Sequence, residues 1–104
     1  MNATPHELPE PAFLTSGKVG EAERAAARDA VREALAGTHE RVRSVRVTLS
    51  LVDDPSLPRP ALAQAIVETD GGRLRAQAAA PALAEAIDLL RRRLSVRTAQ
   101  LRAG

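Results

Sequence analysis

The 104-residue chain has no cysteine, tryptophan or tyrosine, and its one phenylalanine is Phe13. The lack of cysteine excludes disulfides and thiolate chemistry and suits a reducing compartment. The near-absence of aromatic rings argues against a platform that stacks splayed nucleic-acid bases. It leaves Ala, Val and Leu to build the core. Each buries little area, but small side chains let helices sit close to a sheet. The two histidines, His6 and His39, fall in segments that read as loops, and two isolated imidazoles cannot close a metal site. No apolar run approaches the ~20 residues of a membrane-spanning helix. The N-terminus has no basic segment followed by an apolar run, so no secretory signal is expected. Lysine is nearly missing too: of fifteen basic residues, all but Lys18 are arginine. The formal net charge is only +2, so the placement of the arginines says more than their number. Arginine matches phosphate with planar, bidentate contacts.

What is present is periodicity. Residues 1–11 hold three prolines and read as an irregular tail; residues 12–104 read as one domain. Residues 12–16 are a short candidate edge strand. Residues 21–36 have helix composition, with Ala27, Val31 and Leu35 on one stripe, an expected Asp29–Arg32 pair, and Gly37 as a stop. Residues 42–51 alternate as a strand, with Val45, Val47, Leu49 and Leu51 on one face. Residues 53–60 are a proline-rich loop, where Asp53-Asp54 reads as a turn rather than a cation site. Residues 61–69 and 73–79 read as a hairpin around Asp70-Gly71-Gly72. Pro81 fits the first turn of a second helix, whose stripe is Leu83, Ile87, Leu90, Leu94 and Leu101. The order is β-α-β-β-β-α. It predicts a two-layer α+β domain, a four-stranded sheet with both helices on one face. The expected core is Val45, Val47, Leu49, Val67, Leu74, Ile87, Leu90 and Leu94.

No catalytic constellation, cofactor motif or metal-ligand spacing is visible. Gly71-Gly72 lacks the lysine and helix start of a phosphate loop. The chemical signal lies in the arginines beside the two helical stripes. With both helices on one sheet face, Arg28 and Arg32 are expected to meet Arg93 and Arg97 across an inter-helix groove, while Arg92 points away from the sheet. Such a groove binds phosphates with little base discrimination. The opposing reading is a solvated charged surface, with these arginines paired to Glu21, Glu23, Glu33 and Glu85. A function of another class is suggested by Leu62 and Ile66, on the sheet face away from the core. They suit a protein partner or a weak homodimer, unless Leu8 and Phe13 of the N-terminal segment cover them.

The element order and residues 61–94, ALAQAIVETDGGRLRAQAAAPALAEAIDLLRRRL, resemble the ribosome hibernation-promoting factor family. That family includes ribosome-associated inhibitor A and proteins labelled sigma-factor modulation proteins. The segment RVTLS, residues 46–50, is similar to its second strand. The resemblance implies a fold similar to double-stranded RNA-binding domains and a short form without the family's C-terminal dimerisation domain. It implies a cytoplasmic, non-enzymatic protein that binds the RNA of the small ribosomal subunit and silences translation in stasis. Arg28, Arg93 and, one position displaced, Arg97 look like basic positions of the family's helices. Ala34, Gly37 and Val96 stand where relatives are often basic, and Ala79-Ala80 replace a polar pair.

Overall fold

The computed structural model describes residues 8–103, with side chains through residue 100. His6 and the side chains of Leu101 and Arg102 lie outside the described residues. The elements are β1 (Ala12–Ser16), α1 (Glu21–Leu35), β2 (Val42–Leu51), β3 (Ala61–Thr69), β4 (Gly72–Ala80) and α2 (Leu83–Ala103). The sheet order is β1-β2-β3-β4. β1 runs parallel to β2, with α1 as the crossover, and β2, β3 and β4 form an antiparallel meander.

Alternation decides the faces. Cross-strand rows Val45–Val67–Leu74, Val47–Ala65–Ala76 and Leu49–Ala63–Ala78 point to one side, and all nine residues are buried. α2 lies over β3 and β4 and packs along α1. Its stripe of Leu83, Ile87, Leu90 and Leu94 is buried, as are Ala27, Ala30, Val31, Ala34 and Leu35 of α1. The eight expected core residues are all buried. The alanines of β3 and β4 leave little relief on the sheet, which gives the helices a shallow surface to rest on. The buried threonines are satisfied locally: Thr98 Oγ1 donates to the Leu94 carbonyl at 2.9 Å, and Thr69 Oγ1 donates to the Gly72 carbonyl at 2.8 Å.

The ends of the elements shift for identifiable reasons. α1 stops at Leu35, whose carbonyl accepts the Thr38 N–H at 3.1 Å, and Gly37 does not take a positive φ. α2 starts at Leu83 rather than at Pro81, because the first helical bond runs from the Ala86 N–H to the Ala82 carbonyl, 3.0 Å. The hairpin turn is Asp70-Gly71 alone; Gly72 already pairs with Thr69, at a φ of 141° that favours glycine. Gly17, between β1 and α1, has φ 82°, and a Cβ there would strike the Leu51 carbonyl oxygen. The loop after β2 closes with the Val52 N–H on the Pro60 carbonyl, and Asp54 accepts the Ser56 N–H and hydroxyl as a turn.

The face away from the helices carries Leu62 and Ile66, both half-buried. Leu8 and Phe13 do not cover them; both pack against the core on the helix side. Ile66 sits between Arg46 and Arg75 in its cross-strand row, and Leu62 between Ser50 and Ala79, with the Thr48–Gln64–Gln77 row separating them.

Candidate nucleic-acid interface

The four arginines of the expected groove do not meet. Arg28 and Arg32 lie on the β1 side of α1. Both approach the Glu10 carboxylate, at 3.6 and 3.5 Å, and the Arg28 guanidinium stands 5.7 Å from the Phe13 ring centroid. Arg93 is on the β4 side of α2, where its Nη1 donates to the Gln77 carbonyl at 2.8 Å. β1 and β4 are the two edges of the sheet, so the arginine flanks of the two helices face outward in opposite directions. Between the helices stands the ion pair Arg91–Glu33, 3.3 Å. Ala34 is buried in the core, so that position of α1 presents nothing to a ligand.

Some of the arginines are paired. Arg24 meets Glu21 at 2.6 Å, and Arg91 and Arg92 meet Asp88 at 3.0 and 2.9 Å. Hydrogen bonding from Arg91, aided by the Arg92 charge, holds the Asp88 carboxyl below the ordinary aspartate value. Arg32 takes Glu10 instead of the Asp29 expected on its own helix. This Glu10 clasp is solvent-exposed at the carboxylate, and such pairs contribute at most about 1 kcal/mol. Glu10→Gln is therefore expected to lower the melting temperature by no more than about 8 °C, and only at low salt. A shift that persists in molar salt would mean that Glu10 has a packing role.

Arg93 and Arg97 do share a groove, but its second wall is β4 rather than α1. The groove encloses about 1160 Å³ between the outer flank of α2 and the sheet edge. Arg92, Arg93, Val96, Arg97 and Gln100 line it from α2, and Arg73, Arg75 and Gln77 from β4. Five arginines line it and no acidic residue does. Arg92, expected to point away, reaches into it while paired with Asp88. Arg73 is paired with Glu68 at 2.7 Å. Arg75 and Arg97 have no ion-pair partner among the described residues. Arg73 and Arg75 were legible as the polar side of the return strand; that β4 is an edge lying beside α2 was not. Val96 is 57% exposed in this groove, an apolar residue among cations.

Among the described residues no group of three or more His, Cys, Asp or Glu could hold a metal ion, and His39 is exposed in the loop after α1. No helix is long and apolar enough to cross a membrane among the described residues. The arrangement offers cations on a rigid frame, suited to binding anions along a line.

No protein-family model matches the chain, and no curated protein matches it. Solved structures do. A ribosomal subunit interface protein from Coxiella burnetii superposes with a TM-score of 0.71 at 15% identity, over 90% of this chain and 98% of that one. The N-terminal domain of Thermus thermophilus Protein Y superposes with a TM-score of 0.68 at 21% identity, over 85% of this chain and 93% of that one. The chain thus has the β-α-β-β-β-α fold of these two proteins over nearly their whole length, and it carries a five-arginine groove along one sheet edge.

Proposed function

We propose that this protein is a cytoplasmic, non-enzymatic ribosome-associated factor. In this reading the β4–α2 groove binds RNA phosphates of the small ribosomal subunit, and the bound domain blocks translation by occupying space. The observation that carries the reading is a groove lined by five arginines and no acid, on a fold shared with a ribosomal subunit interface protein. Guanidinium groups on two secondary-structure elements make bidentate contacts to successive phosphates without reading bases. The lack of rings fits a partner recognised by backbone and shape rather than by stacking. The groove, rather than the space between the helices, is the RNA surface because the latter is closed by packing and by Arg91–Glu33. Arg28 and Arg32 are then secondary, being held by Glu10.

The test is sedimentation of the purified protein with purified small subunits. The protein is expected in the subunit fraction at low salt. Binding should fall by about 10³-fold or more between 50 and 200 mM salt if six or more phosphates are neutralised, and less steeply with fewer. Absence from the subunit fraction at low salt would overturn the reading.

A further inference from the structure

The floor of the groove is an unpaired strand edge. The Gln77 carbonyl accepts from Arg93 and so points away from β3. In an antiparallel pair, outward and inward residues alternate. Arg73, Arg75, Gln77 and Ala79 therefore direct their N–H and C=O groups outward, while Leu74, Ala76, Ala78 and Ala80 bond to β3. The β3–β4 register runs unbroken from Thr69↔Gly72 to Ala61↔Ala80, with no bulge and no proline to blunt the edge. α2 runs along this edge on the helix side and adds Leu89 and the exposed Val96 to the groove wall. Arg73 and Arg75 stand on the other side of the sheet.

We propose that the β4 edge is a docking site for an extended protein segment that alternates apolar and acidic residues and adds to the sheet as a fifth strand. Main-chain bonds to Arg73, Arg75, Gln77 and Ala79 hold it. Its helix-side residues cover Leu89 and Val96, and its open-side residues meet Arg73 and Arg75, because strand side chains alternate with period two. Charge selects the occupant. A second copy pairing through its own β4 would set arginine against arginine, whereas an acidic segment complements a groove that holds no acid. The Arg93 bond to Gln77 occupies one acceptor of the edge and must release for the strand to seat. This inference does not rest on the ribosomal reading, although a bound strand and RNA would exclude each other from the groove.

The probe is an alternating Val-Glu peptide of about eight residues, an ordinary strand length, followed by fluorescence anisotropy. The Val-Glu peptide is expected to bind the intact protein and an alternating Val-Lys peptide is not. Gln77→Pro removes an outward N–H that the β3–β4 ladder does not use, a position where a strand tolerates proline. It should weaken the peptide about tenfold, the equivalent of one or two hydrogen bonds. A Val-Glu peptide methylated at the alternate backbone nitrogens that face β4 tests the same bonds without altering the protein, and should bind more than about tenfold more weakly, because several bonds are lost together. Equal binding of the methylated peptide, or of Val-Lys, would overturn strand addition, as would no binding of Val-Glu. A concentration-dependent dimer that Gln77→Pro abolishes would assign the edge to a second copy and overturn the acidic occupant. Peptide binding without subunit binding would sink the ribosomal reading and leave this one standing.

Discussion

Leu90→Ala should lower the unfolding free energy by about 3–5 kcal/mol, the upper part of the range for leucine-to-alanine core substitutions. Leu90 is wholly buried on α2, the helix that spans β3, β4 and α1. The cost of such a cavity depends on how far the neighbours relax into it. Here the facing strands supply mainly alanines, among them Ala63, Ala65, Ala76 and Ala78. An alanine has no χ angle, so these strand residues cannot swing into the space. A domain of this size has about 5–15 kcal/mol of total stability, so the variant should lose a large share of it. Urea denaturation should show a lower midpoint at unchanged slope. Val96→Ala, a similar truncation on the exposed flank of the same helix, should stay within about 0.5 kcal/mol of the parent. Equal midpoints for the two variants would defeat the account of the core.

That core was legible because its evidence is periodic. The clean alternation of β2 and the weaker one of β3 state which residues share a face, and the leucine stripe of α2 states which side of the helix they meet. The site was less legible. A helical projection gives the angle of Arg28 or Arg93 from its own stripe but not the element that lies beyond that flank. Topology decides this: α1 connects β1 to β2 and α2 follows β4, so the free flanks look toward opposite sheet edges. Glu10, the partner of Arg28 and Arg32, comes from a proline-rich segment with no period from which its position could be read. Arg92 shows a further limit. A long side chain reaches well away from its Cβ direction, so it can enter the groove from a position that points elsewhere.

Arg93→Glu combined with Arg97→Glu should weaken association with the small subunit by about 10²-fold or more. Removing each charge-assisted hydrogen bond to phosphate costs about 1.5–3 kcal/mol, and 1.4 kcal/mol is a factor of ten. The double reversal also carries the formal net charge from +2 to −2, a change of −4 over two positions. Arg92→Glu should cost far less, because Arg92 already spends its charge on Asp88 at 2.9 Å, whereas Arg97 has no ion-pair partner among the described residues. Arg28→Glu with Arg32→Glu should likewise cost less, since these two stand over the β1 edge against Glu10. The slope of log affinity against log salt should flatten by roughly 1.5 in the Arg93–Arg97 double variant, about 0.7–0.9 for each phosphate that is no longer neutralised. Sedimentation of the four proteins with purified small subunits at several salt concentrations measures both quantities. Equal weakening by the Arg93–Arg97 and Arg28–Arg32 double variants, which change the net charge equally, would point to attraction by net charge alone, without a defined groove. Weakening confined to the Arg28–Arg32 variant would move the RNA surface to the β1 edge and leave the β4 edge to a protein segment.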